Sequence, residues 1–380
     1  MNFPLKKQII FLFDKTVSAK GLFPLNLLFA GFPKKIISLK EALAEEKNDI
    51  EYKEALGPIV LGKKLPKTIE PKIHSKFTSI VKYTNSKKFV LILRNSRVVL
   101  RDCFVITKKD FLVEEINPSM GRYTSQVFYA NKFPKLRHFR GKVAVLFNTD
   151  NYFHWMFETI PRLLLLKKLG IKPDYFVVGN DKSFKKESLK NLAIASEKII
   201  PANDNLHIFA DELVVPSLPI NSGNPTPLVC NFLRETFLKK PSKEYLSKYE
   251  KIYVARGNVK ERKVGNEKEV EDFLSKKGFV SITLDGLSIE EQAKIFASAK
   301  VIVAAHGAAL SNLAFCRKGT KIIEIFHPDY VNACFWALSN CVELDYYYFL
   351  ASKHGWIDFS FGTEINLEKL SSALTLAGII

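Results

Sequence analysis

The sequence has no long apolar run. A membrane-spanning helix needs ~18 or more consecutive apolar residues, and candidate stretches such as residues 9–13 and 163–166 fall far short. An integral membrane protein is therefore not expected. Residues 1–32 also lack the apolar h-region and small-residue cleavage site of a signal peptide. Cysteine is scarce: Cys103, Cys230, Cys316, Cys334 and Cys341 are odd in number and form no C-x-x-C pair. A disulfide framework or a zinc site does not fit that pattern, and a reducing, cytoplasmic compartment does. The G-x-G-x-x-G and P-loop patterns are missing, which argues against those two phosphate folds. There is no internal repeat and no low-complexity segment.

Arginine is also in short supply. The basic excess is large, with 57 basic against 39 acidic residues and a formal charge of +18, but only 11 of the basic residues are arginines. Arginine is the residue favoured for bidentate base and phosphate contacts, whereas lysine acts as a solvated point charge. The lysines are spread along the chain rather than gathered in a tail. This predicts a solvated lysine-rich surface with no nucleic-acid partner. Attraction to an anionic membrane face or to acidic substrates is the next reading. With 47% hydrophobic residues the chain has the composition of a folded protein, and 380 residues suggest two domains rather than one.

Residues 1–85 are the least legible, with a charged helix expected over 38–52 and a Pro/Lys-rich connection over 63–76. Apolar runs at 89–93 and 98–106 flank Arg94-Asn-Ser and read as a hairpin. From Lys142 strands and helices alternate: strand 142–147, helix 152–168, strand 175–178, helix 183–193, and strand material in 206–215. Residues 216–227 concentrate Pro, Gly, Asn and Ser and read as a break. A helix over 228–237 and a charged connector over 239–250 follow. The second half gives strands at 251–255, 279–284, 300–305, 321–326 and 343–349. Its helices fall at 266–277, 288–299, just after His306, and at 367–376. Ser288-Ile-Glu-Glu291 is a capping box that fixes one helix start. Alternating βα units imply parallel sheets with ligand crevices at the strand carboxyl ends. The expected segments are 1–85, 86–240, 241–365 and a C-terminal helix over 366–380.

Three clusters stand at such strand ends. In Asn151-Tyr-Phe-His154-Trp-Met-Phe-Glu158-Thr-Ile-Pro-Arg162, the spacing puts His154, Glu158 and Arg162 on one helix face, with a kink at Pro161. Polar groups on so apolar a helix must satisfy one another or line a cavity. An imidazole beside a carboxylate is suited to general-base work; the alternative is a network that ties the helix down. In Val301-Ile-Val-Ala-Ala-His306-Gly-Ala-Ala-Leu-Ser-Asn312, a buried strand runs into small residues at a helix start. That arrangement offers backbone N–H groups to a phosphate, or else is a tight turn with His306 as a local hydrogen bonder. Arg256 ends a third strand, and Arg262 and Lys263 follow it. They can neutralise a diphosphate without a metal, or can form a solvated loop. Glu324 ends a fourth strand, placed to hold a ribose hydroxyl or to form a strand-end salt bridge.

Taken together, Arg256, Arg262-Lys263, Asn266-Glu267, Ser288-x-x-Glu291-Gln, Val303-Ala-Ala-His306-Gly-Ala-Ala-Leu-Ser-Asn312 and Ile323-Glu324 resemble glycosyltransferase family 61. Asn151-Tyr-Phe-His154-x-x-x-Glu158 is similar to that family's N-terminal signature. The resemblance covers about residues 85–350 in order, and the first 85 residues resemble nothing identifiable. It implies an α/β GT-B fold, two Rossmann-like domains facing across a cleft, with an additional N-terminal segment. Residues 86–240 would form the acceptor side and 241–365 the nucleotide-sugar-binding domain. It also implies inverting, metal-independent transfer from a nucleotide sugar, a UDP-sugar in first place, to a glycan or polysaccharide hydroxyl. By this resemblance His154 and Glu158 are catalytic. Arg256, Arg262, Lys263, His306, Gly307, Ala308, Ala309, Asn312 and Glu324 bind the donor, and Asn151, Trp155 and Arg162 lie on the acceptor side. His154 is the favoured base and Glu158 the alternative.

No D-x-D pair sits at a predicted strand end, where metal-dependent sugar transferases hold their cation, so neither metal nor cofactor is expected. The expected location is cytoplasmic, with peripheral contact at the inner membrane face. Two other readings stand beside this one: a polyanion- or nucleic-acid-binding protein using its basic surface, and a catalytically inactive homologue acting as an assembly partner. The first predicts salt-dependent binding to any duplex, whereas a transferase predicts saturable binding of a nucleoside diphosphate.

Overall fold

The structure, a computed structural model, describes residues 32–117, 127, 132–257, 263–357 and 360–380. It is a mixed α/β protein with several sheets. The chain divides into two compact units. The first comprises Met1–Gly57, Lys87–Asp150 and Arg162–Pro219, and the second Pro58–Ser86, Asn151–Pro161 and Ile220–Ile380.

The first unit is built on one mixed sheet. Its strands run Lys35–Ile37, Phe111–Val113, Phe104–Ile106, Lys88–Val99, His207–Pro216, Arg137–Phe147, Tyr175–Val178 and Ile199–Pro201, with Ile50–Leu56 also paired to Lys88–Val99. The last four strands of that path are mutually parallel. Their apolar runs are buried on both faces, as parallel strands require.

Two expectations for this region need correcting. The helix expected over 38–52 stops early: Ser38 and Glu41 form a capping box for Leu39–Glu45, and the chain then becomes the strand Ile50–Leu56. Cross-strand pairing with Lys88–Val99 outweighs the helical character of Glu51 to Ala55. The hairpin turn expected at Arg94-Asn-Ser is also absent, because Lys88–Val99 passes straight through it. His207–Pro216 keeps pairing on both sides, Arg94 opposite Glu212 and Ser96 opposite Ala210, and Asn95 absorbs the irregularity at φ 51°. The chain reverses at Leu100 to Cys103 instead, where φ is 62° and 60° and the Cys103 N–H donates to the Leu100 carbonyl at 3.0 Å.

The second unit holds a parallel sheet in the order Val280–Ile282, Lys251–Val254, Val301–Ala305, Lys321–Phe326, Asp345–Leu350, with Lys67–Thr68 added at the far edge. Numbered by first appearance in the C-terminal half, the five long-recognised strands run 2-1-3-4-5. That is a doubly wound order whose switch point lies between the first strand, Lys251–Val254, and the third, Val301–Ala305. The helix Ile289–Ser298 starts with the expected Ser288–Glu291 capping box. The short helix expected after His306 is a 3-10 helix, Ala308–Phe315.

Segment 58–86, unreadable as sequence, is an integral part of this unit. Besides its edge strand it supplies the short helix Ser75–Thr78, which buries Phe77 completely. The Phe77 ring meets Trp336, Phe326, Tyr346 and Tyr348 with centroids 4.7–6.3 Å apart. The Trp336 indole N–H donates to the Lys64 carbonyl at 2.8 Å, and the Tyr348 hydroxyl accepts from the His74 N–H at 2.8 Å.

Truncating Phe77 removes a large ring from a closed aromatic cluster, a change that costs about 3–5 kcal/mol. All three tryptophans, Trp155, Trp336 and Trp356, belong to this unit, so tryptophan fluorescence follows it alone. The Phe77→Ala variant should unfold at a urea concentration lower by roughly 1 M or more. An unchanged midpoint would show that segment 58–86 does not stabilise the unit.

Candidate functional site

The site is built from residues of the second unit. Arg256 follows the first strand of the doubly wound sheet. Its backbone N–H and that of Gly257 donate to the two carboxylate oxygens of Glu267 at 2.6 and 3.2 Å, so the acidic start of the next helix shapes the loop. The Arg256 guanidinium lies against Gly307, at the end of the third strand. A Cβ at position 307 would sit 2.0 Å from Arg256 Nη1. Glycine suits this close approach, because a side chain there would have to displace the end of Arg256; its own backbone is extended and within reach of any residue. Arg256 and the start of the 3-10 helix at Ala308 thus share the switch point between strands one and three. The first N–H groups of such a helix have no partner within it, and Ala308 and Ala309 are only half-buried.

One residue earlier, His306 is buried at 7% exposure and its Nδ1 lies 2.5 Å from Glu324 Oε1. Glu324 is fully buried, and the Tyr346 hydroxyl donates to its other oxygen. Burial and the neighbouring carboxylate push the Tyr346 hydroxyl pKa well above its ordinary value, so it stays a donor. Both Glu324 oxygens are therefore engaged by side chains of this unit. Of the two readings open for Glu324, pairing with a neighbouring side chain is present, and it orients the His306 imidazole. Phe326 stacks on the His306 ring at 5.2 Å, and Phe335 and Tyr330 complete its surround.

His154 arrives from the segment Asn151–Pro161. Asn151 caps this turn, its side-chain oxygen accepting from the N–H groups of Phe153 at 2.9 Å and His154 at 3.3 Å. His154 Nδ1 pairs with Glu158 Oε2 at 3.0 Å, and Ser222 Oγ donates to Glu158 Oε1 at 2.7 Å. The hydrogen bond that its ring donates to Glu158 raises the His154 pKa above its ordinary 6.5, against the opposing effect of partial burial.

The continuous helix expected over 152–168 is not what the chain forms. After His154 the backbone widens into a π-turn at Trp155–Thr159, with the Ile160 N–H donating to the Trp155 carbonyl. Pro161 has no N–H to restore the α pattern. The helix resumes at Arg162–Lys168, which belongs to the first unit. The predicted single face of His154, Glu158 and Arg162 is thereby split. Arg162 is buried, donates to the Pro216 carbonyl and covers the Phe147 ring at 4.3 Å.

His154 and His306 line one cleft of about 910 Å³, together with Asn151, Gly307 and Ala308. Phe335 bridges the two sides, its ring centroid 5.2 Å from that of His306 and 5.8 Å from that of Phe153. Other residues expected at the site lie apart from the cleft surface. Trp155 is fully buried, and Asn312 is fully buried with its amide donating to Gln292 and to the Ala309 carbonyl. Lys263 is half-buried, its carbonyl accepting from the Thr363 N–H, and Arg262 lies outside the described residues. Sequence reasoning missed His74, Lys76, Ser222, Asn224 and Tyr330, which also line the cleft. Ser222 and Asn224 sit in a stretch legible only as a Pro/Gly/Asn/Ser break. His74 and Lys76 come from the segment that carried no motif.

The pairing of His154 with Glu158 makes a direct prediction. In Glu158→Gln the imidazole loses its carboxylate, so its pKa should fall toward 6.5 when the ring is titrated by NMR. A pKa equal to or above that of the wild type would show that Glu158 is not the cause of the upward shift.

No curated protein matches the chain. The family model described as Glycosyltransferase 61 matches residues 152–323, the stretch that runs from the His154 turn into the strand Lys321–Phe326. Over that stretch the chain is similar to glycosyltransferase family 61.

Proposed function

We propose that this glycosyltransferase moves a sugar from a nucleotide-sugar donor, a UDP-sugar in first place, to a hydroxyl of a glycan or surface polysaccharide, with inversion and without a metal. The observation that carries the reading is the cleft. Its lining brings together His154, backed by Glu158, and the switch-point residues His306, Gly307 and Ala308, while Arg256, which is not among the lining residues, is packed on Gly307. The GT-B architecture belongs to the same proposal, supported by the doubly wound strand order of the second unit.

The chemistry needs a proton acceptor and a means of stabilising a departing diphosphate. With Nδ1 of His154 turned to Glu158, Nε2 is the nitrogen left to take the acceptor's proton. The acceptor oxygen attacks the anomeric carbon, the bond from that carbon to the phosphate oxygen breaks, and its electron pair leaves with the diphosphate. In this reading Arg256 and the N–H groups at Ala308 and Ala309 receive that charge. Lys76, exposed at the cleft, adds a further cation. Within this reading Glu324 acts through His306 rather than on a ribose. A cytoplasmic site of action with peripheral contact to an anionic membrane face completes the proposal. It is supported by the charge of +18, and no helix among the described residues is long and apolar enough to cross a membrane.

Two variants separate the roles. His154→Ala should reduce transfer about 10²–10⁴-fold, the usual worth of a general base, while nucleoside-diphosphate affinity is retained. Arg256→Ala should weaken that affinity roughly 10–100-fold, as loss of a charged hydrogen-bond donor does. Full turnover in His154→Ala with a dead Glu158→Gln enzyme would make Glu158 the base. Activity should also survive EDTA, and loss restored by manganese or magnesium would overturn the metal-free part of the proposal.

A further inference from the structure

The turn at residues 221–224 presents a group that the mechanism above does not use. The Asn224 N–H donates to the Asn221 carbonyl at 2.9 Å, and Gly223 occupies the left-handed region at φ 76°, where glycine is favoured. Segment 58–86 clamps both corners. The Asn221 N–H donates to the Asn85 side chain at 2.9 Å, and Ser86 Oγ donates to Asn221 Oδ1 at 2.8 Å. Lys63, itself buried, donates to Asn224 Oδ1 at 3.1 Å and to the Ile80 carbonyl at 3.2 Å. A turn fixed at both ends holds Ser222 with its hydroxyl on Glu158 Oε1, while the other oxygen of that carboxylate faces His154.

We infer that Ser222 is a positioning residue: through Glu158 it sets how tightly His154 holds its proton. The inference rests on the reading of His154 as the base. A hydrogen bond donated to a carboxylate stabilises its charge and weakens its grip on a neighbouring imidazolium. The Glu158 side chain is only 12% exposed, so water is a poor substitute for the serine. Glu158 is the charged group that governs His154. The other titratable side chains around the cleft are His74, Lys76, His306, Asp329, Tyr330 and Cys334, and the variants below leave all six in place.

The sign of the effect distinguishes tuning from mere support. If Ser222 only braced the turn, its loss would loosen the His154–Glu158 pair and lower the imidazole pKa. If it withdraws charge from Glu158, its loss raises that pKa. NMR titration of the His154 ring in the full chain, compared for wild type, Ser222→Ala and Ser222→Thr, reads this directly. In Ser222→Ala the pKa should rise by about 0.5–1, the scale of one charged hydrogen bond shared across the pair. Ser222→Thr, which keeps the hydroxyl, should return it toward the wild-type value. An unchanged or lowered pKa in Ser222→Ala overturns the inference. The acid limb of the transfer rate should move up with the imidazole. A raised imidazole pKa with an unmoved limb would uphold the tuning and remove His154 as the base.

Discussion

A carboxylate without access to water must be held by hydrogen-bond donors, and the cleft side of the second unit is organised around one. Glu324 lies within the fourth strand of the doubly wound sheet, Lys321–Phe326, with no solvent exposure. Its two oxygens are taken by His306, from the end of the third strand, and by Tyr346, from the fifth. Three neighbouring strands are thereby locked together by side chains as well as by their ladders. Removing either partner leaves a buried polar group without its hydrogen bond, a loss of about 1–3 kcal/mol. The same bond fixes the imidazole ring, and the residue after it, Gly307, makes room for Arg256. The cation, the small-residue helix start and the buried carboxylate form one construction.

His154 and Glu158 repeat the device at lower burial. In both cases a carboxylate faces Nδ1 and a hydroxyl faces the carboxylate's other oxygen: Tyr346 for Glu324 and Ser222 for Glu158. The difference lies in exposure. The His154 side chain is 42% exposed against 7% for His306. An imidazole open to the cleft can exchange a proton with an incoming hydroxyl and with solvent, whereas a ring packed against Phe326, Phe335 and Tyr330 is better suited to a fixed contact. That contrast is why the account gives the base to His154.

Much of this was legible in the sequence. Buried parallel strands announce themselves as β-branched runs, so the strands expected at 300–305 and 321–326 coincide with Val301–Ala305 and Lys321–Phe326. The polar residues that follow them fall at strand ends by arithmetic alone. What sequence could not supply depends on long-range pairing. The turn expected at Arg94-Asn-Ser loses to continuous pairing with His207–Pro216. The helix carrying His154 widens into a π-turn because Pro161 and the surrounding packing leave the α pattern incomplete, which separates Arg162 from its expected neighbours. Ser222, His74 and Lys76 reach the cleft from segments with no periodic signal, and only the folded chain brings Asn85 and Lys63 to the turn that carries Ser222.

The central claim is that one cleft in the second unit receives the donor's diphosphate at the switch point and presents its sugar to His154. A crystal structure of the protein with a nucleoside diphosphate sugar tests this most directly. The account predicts the diphosphate against the Arg256 guanidinium and the backbone of Gly307 to Ala309, with the anomeric carbon facing His154 Nε2. A diphosphate bound away from Arg256, or a sugar directed away from His154, would contradict it.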